Sequence, residues 1–149
     1  MQRGNLLPAF LRGKLMQSRY DNIQRLLAKI DEYGCFFLSL LSVAEDYLVK
    51  KVDLVDTVRW VAENGVIDKD YTVLDDCKLL TYLTGKKTTK RVDVKCGILK
   101  ENEYSIEKWY NAATGYNHFK RRYFDVFHNG RTVKEGILMC YYIYTIGAK

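Results

Sequence analysis

One proline, Pro8, and ten glycines are spread over 149 residues, too few and too scattered for a low-complexity or long disordered segment. No apolar run approaches the ~18 residues that a membrane-spanning helix requires. The stretch Met1-Gln2-Arg3-Gly4-Asn5-Leu6-Leu7-Pro8 lacks the long apolar core and small-residue cleavage site of a secretory signal, so none is expected. Cysteine is sparse: Cys35, Cys77, Cys96 and Cys140 lie far apart with no C-x-x-C pair. That argues against a disulfide scaffold and predicts reduced thiols, as in a cytoplasm. The two histidines, His118 and His128, flank no cysteine cluster. No metal site or other cofactor is expected.

What is present is an ordinary globular composition, 48% hydrophobic and 28% charged. The length suits one domain that buries about two thirds of its unfolded surface. The net charge of +6 is unevenly spread. Residues 1–30 hold Arg3, Arg12, Lys14, Arg19, Arg25 and Lys29 against Asp21. Two further clusters are Lys86-Lys87 with Lys90-Arg91, and Lys120-Arg121-Arg122. Such patches suit nucleic acid or an acidic partner, although no nucleic-acid motif accompanies them. A solvated basic face is the simpler reading.

Residues 1–19 read as a basic arm and 20–149 as a single domain. Ile23, Leu26, Leu27 and Ile30 form a helical stripe. Gly34 then breaks the chain, and Cys35 to Val49 predicts a helix that is apolar nearly all round at its start, hence central and buried. Asp53 is the expected N-cap of a helix over 54–63, closed by Asn64-Gly65. Thr72-Val73-Leu74-Asp75 resembles a capping box for a helix that ends at Gly85 and carries Cys77 on its core stripe. Strands are predicted over 88–96, 118–127, 131–133 and 137–146, with a short helix over 105–111 between the first two. Lys134-Glu135-Gly136 is a turn of hairpin length. Apolar and aromatic residues on both faces of 137–146 mark a central strand. Helices first and strands last make an α+β layout, without internal repeat.

The residues with most chemical potential are Cys35, His118 and Asp125. A thiol at a helix start lies among unpaired backbone N–H groups and the positive end of the helix dipole, which favour a thiolate. A histidine can shuttle its proton, and a third polar group can hold the ring's tautomer. Each residue also has a plain reading: Cys35 as a small core filler, His118 as a strand-edge polar residue, Asp125 as a turn carboxylate. Strand parity works against the set. Residues 118 and 125 are an odd number apart, so one uninterrupted strand would point them to opposite faces. A tight turn around Arg121-Arg122 would restore convergence. His128 and Asn129 are rivals for the third position.

Three segments carry a family resemblance. Tyr33-Gly34-Cys35-Phe36-Phe37-Leu38-Ser39-Leu40 resembles the nucleophile helix of bacterial and phage proteins of the papain-like superfamily, near the C39-type peptidases. Thr114-Gly115-Tyr116-Asn117-His118-Phe119 is similar to their histidine strand, and Arg131-Thr132-Val133-Lys134-Glu135-Gly136 to the hairpin after the aspartate of phage lysin domains. The chain also resembles an uncharacterised family of phage- and plasmid-borne proteins, domain of unknown function 261. The resemblance spans most of residues 20–146. It implies a papain-like fold, a central cysteine-bearing helix packed on a carboxy-terminal antiparallel sheet. It implies a thiol hydrolase of peptide or amide bonds in which Cys35 attacks, His118 acts as base then acid, and Asp125 orients His118. Gly34 and Tyr33 would support the oxyanion. The expected partner is a peptide or protein substrate, including peptidoglycan peptides. This chain departs from the pattern at Val126, where the family has proline, and in lacking a glutamine just before the cysteine; Gln24 is the nearest. The competing expectation is an inactive papain-like fold that binds an acidic partner or nucleic acid.

Overall fold

The computed structural model describes residues 34–68, 72–125 and 136–147. The expected arm over 1–19, the helix over 20–30 and the strand over 131–133 lie outside the described residues. Within them the chain is α+β, helices first and sheet last. Helices α1 (Cys35–Leu48), α2 (Leu54–Glu63) and α3 (Asp76–Thr84) precede strands β1 (Thr88–Asp93), β2 (Glu103–Asn111), β3 (Tyr116–Lys120) and β4 (Ile137–Ile146). The sheet is antiparallel with order β1-β4-β2-β3, so the doubly apolar strand is interior. No helix among the described residues is long and apolar enough to cross a membrane.

Local chemistry sets the helix ends. The Asp53 carboxylate accepts from the Asp56 N–H at 2.8 Å, and α2 stops at Asn64 before Gly65 in the left-handed region at φ 65°. The Asp75 carboxylate accepts from the Lys78 N–H at 2.9 Å, and α3 closes on Gly85 at φ 71°. The cap of α3 is therefore Asp75 rather than Thr72. Residues before it are committed elsewhere: the Thr72 carbonyl accepts from Asp68 N–H at 3.1 Å, and Leu74 N–H donates to the Val66 carbonyl at 2.7 Å. That pairing holds 72–74 extended and delays the helix by one turn.

The segment 105–111, expected as a short helix, is instead most of β2. Seven residues make a marginal helix by themselves, whereas here both edges are paired, with β4 and with β3. Ile106, Trp109 and Tyr110 suit a pleated surface. Strand β1 ends at Asp93, short of the predicted Cys96.

Leu40, Val43 and Ala44 of α1, Val58 and Val61 of α2, and Leu79 and Leu80 of α3 form one core with Ile106, Tyr144 and Ile146 of the sheet. A stack of Trp60 on Tyr82 at 3.9 Å joins α2 to α3. One polar knot ties α3 to the sheet. Asp76 accepts from the buried Tyr144 hydroxyl at 2.7 Å and pairs with Lys90 at 2.7 Å, while Lys90 lies 3.8 Å from the centre of the Tyr142 ring. Burial opposes the Asp76 charge, but Lys90 and Tyr144 outweigh it and hold its carboxyl below the usual 3.8.

A lowered carboxyl stabilises the fold above its unfolded value and loses that contribution as pH falls through the native one. Asp76→Asn should therefore cost about 1–3 kcal/mol near neutrality. Urea unfolding should show this deficit narrowing as the medium is acidified below 3.8. A deficit that does not change with pH would refute the ionic part of the knot.

Candidate active site

Helix α1 begins at Cys35, which is 2% exposed. Its N-cap is Gly34, whose carbonyl accepts from Leu38 N–H at 2.8 Å. Gly34 offers no side chain to cap the helix, and the first turn carries no acidic residue. The first-turn amides of an α-helix have no intrahelical acceptor. Here neither an N-cap side chain nor a first-turn carboxylate offsets the positive end of the dipole next to the thiol. Tyr33 and Gln24 lie outside the described residues.

Aromatic packing sets α1 against β3. The Phe36 and Phe119 rings lie 4.6 Å apart, and both touch Tyr142, at 5.6 and 5.7 Å. Ser39 Oγ donates to the Phe119 carbonyl at 3.5 Å. These contacts seat the start of α1 against β3, where the Cys35 thiol meets the His118 ring. His118 is 3% exposed. It pairs across the ladder with Trp109, beside a bulge where Lys108 opposes Cys140 and Trp109 opposes Leu138, leaving Met139 without a counterpart. Bulges re-aim side chains, and this one falls in the row that carries His118.

Parity is resolved by a turn. The strand expected over 118–127 ends at Lys120, and Arg121 to Phe124 reverse the chain. Arg121 N–H donates to the Phe124 carbonyl at 2.7 Å and Phe124 N–H to the Arg121 carbonyl at 3.2 Å. Asp125 returns to His118, its Oδ1 2.6 Å from Nε2. The structure thus gathers all three predicted residues. The rivals His128 and Asn129 lie outside the described residues.

The ring lies between a thiol and a carboxylate. A carboxylate only accepts, so the 2.6 Å contact with Asp125 puts a hydrogen on Nε2. Burial disfavours the imidazolium. Hydrogen bonds to Cys35 and to Asp125, with the charge of each, outweigh that cost and raise the His118 pKa above the usual 6.5. Charge is therefore favoured on the ring that faces the thiol. The other cysteines are free, and burial, helped by Asp76, pushes the Cys77 thiol up to about 11. Among the described residues no cluster of three metal-ligating side chains occurs.

Arg121 belongs to this site, although its sequence suggested a surface patch. Its side chain is 15% exposed. It donates to Asp46 Oδ2 at 2.6 Å and Ser42 Oγ at 3.0 Å on α1, and to the Ser105 carbonyl at 3.3 Å on β2. The sequence signal was faint: Ser42 and Asp46 stand one turn apart on a largely apolar helix. Lys120 is also engaged, with the Arg121 carbonyl at 2.9 Å and Glu107 at 3.6 Å. A groove of about 840 Å³ opens beside the turn, lined by Arg121, Arg122, Tyr123 and Phe124 on one side and by Cys96 and Tyr141 among others.

A raised histidine stabilises the fold below its unfolded value and loses that contribution as pH rises through the native one. Proton NMR should place the His118 midpoint above 6.5, and both Asp125→Asn and Cys35→Ala should lower it. Asp125→Asn should destabilise the chain below 6.5 and cost little at clearly alkaline pH. A His118 midpoint indifferent to both substitutions would refute the pairing.

No protein-family model, curated protein or solved structure matches this chain.

Proposed function

We propose that this chain is a papain-like cysteine hydrolase that cleaves an amide or peptide bond. One observation carries the reading: the His118 ring lies between the Cys35 thiol and the Asp125 carboxylate, and that thiol stands at the start of a helix. The reactive form is a Cys35 thiolate beside a His118 imidazolium. Sulfur adds to the carbonyl carbon, and the oxygen takes up the negative charge. The Cys35 backbone N–H, at the positive end of α1, is the donor within the chain's own geometry. A donor of this kind is worth about 10²–10³ in rate.

As the tetrahedral intermediate collapses, the C–N bond breaks and His118 gives its proton to the departing amine, leaving a thioester on Cys35. Neutral His118 then takes a proton from water, whose oxygen attacks the thioester carbon. Release of the carboxylic acid restores the thiolate and imidazolium. Asp125 never takes the proton; it keeps the hydrogen on Nε2 and favours the charged ring. The substrate class is a peptide or protein, peptidoglycan peptides included.

The alternative, a catalytically idle fold that binds nucleic acid or an acidic partner, draws on the basic clusters. Among the described residues, part of that charge is paired within the chain. Lys90 pairs with Asp76, Arg91 with Asp93 and Glu103, Lys120 with Glu107, and Arg121 with Asp46. The geometry favours the hydrolase.

Alkylation by iodoacetamide near neutral pH, followed site by site by mass spectrometry, tests this. Cys35 should react fastest despite its burial, and Cys77 slowest. His118→Ala should slow Cys35 by about 10- to 30-fold, because an unassisted thiol is only a few per cent ionised at pH ~7. Equal reactivity of the four thiols would overturn the proposal.

A further inference from the structure

Asp125 is the least enclosed member of the triad. Its side chain is 41% exposed, against 3% for that of His118. It follows a turn at the end of an edge strand, and two residues of that turn, Arg122 and Tyr123, face solvent, Tyr123 at 89% exposure. A carboxylate so placed needs its turn held from elsewhere. The only strongly enclosed cation of the turn is Arg121, and its guanidinium reaches in two directions. On α1 it meets Ser42 and Asp46, two and three helical turns beyond Cys35. On β2 it meets the Ser105 carbonyl. Its own backbone closes the turn against Phe124.

The structure assigns Arg121 as a positioning residue: its guanidinium locks the 121–124 turn to the cysteine-bearing helix and to β2, and so holds Asp125 on His118. This rests on the hydrolase reading above for its consequence in catalysis, though the positioning itself can be measured on the ring. An exposed ion pair with Asp46 alone would contribute little. The planar fork matters because one group satisfies three acceptors on two elements, a geometry that a lysine ammonium cannot reproduce. Arg121 touches neither the thiol nor the ring and acts only through the turn.

The test compares Arg121→Ala, Arg121→Lys and Asp125→Asn in the full chain by two readouts, the His118 midpoint from NMR and the rate of Cys35 alkylation near neutral pH. Arg121→Ala should lower the midpoint by about one pH unit, the loss expected when a hydrogen bond to a charged group goes. It should slow alkylation by the same factor as Asp125→Asn, and Arg121→Lys should recover little. The double variant should be no worse than Asp125→Asn alone. A merely structural arginine would lower thermal stability and leave the His118 midpoint in place; that result, or additive effects in the double variant, overturns the assignment. If Arg121→Ala does not fold, Ser42→Ala and Asp46→Asn each remove one acceptor and should lower the midpoint by a smaller amount. An unchanged midpoint in both is equally fatal. Should the midpoint fall as expected while Cys35 in the parent reacts no faster than the other thiols, the positioning role stands and the hydrolase reading fails.

Discussion

The contact of Phe36 with Phe119, 4.6 Å between ring centres, is the constraint from which the candidate site follows. It joins the first turn of α1 to the edge strand β3, and both rings share Tyr142 of the central strand as a floor. Aromatic pairs of this kind add about 0.5–1.5 kcal/mol beyond the area they bury. Their larger effect here is geometric. Seating the two rings sets the mouth of α1, where Cys35 stands, against the strand that carries His118. The bond from Ser39 to the Phe119 carbonyl fixes the same helix along the same strand. Packing that serves the core thereby delivers the polar pair to its edge.

Charge is used in a similar way. Among the described residues, two of the basic residues that looked like a surface for partners are fasteners. Lys90 reaches over the Tyr142 ring to Asp76, which also holds the Tyr144 hydroxyl. Arg121 spans α1 and β2. Each cation joins elements distant in sequence, and each is largely enclosed, where screening by water is weaker than at an open face. The helix that carries Cys35 is thus held by rings at its start and by a guanidinium further along.

Much of the fold was legible because its signals are local. The span 54–63, its Asp53 cap and its Asn64-Gly65 stop depend on residues within a turn of one another. Strand 137–146 announced its interior place by being apolar on both faces. The misreadings share one cause. Residues 105–111 carry no decisive local pattern, and pairing with two strands from elsewhere made them β2. Thr72 has the form of a cap, yet residues 66–68 had already claimed its neighbourhood. In the site, Cys35 and His118 were readable from their residue types and from the helix start. The convergence of Asp125 hung on whether the chain turned at Arg121, and sequence could name that turn only as a condition.

The sequence by itself determined the α+β order, the buried helix with a thiol at its mouth, and the short set of groups able to do acid–base and nucleophilic chemistry. These depend on periodicity, capping and side-chain chemistry, all of which act within a few residues. Only the tertiary structure decided that the thiol meets the imidazole, that a turn brings Asp125 to the far side of the ring, and that Arg121 is a clamp instead of a surface charge. Those outcomes join positions some eighty residues apart. They depend on aromatic rings finding each other across the core and on strands choosing partners, which no local stretch of chain encodes.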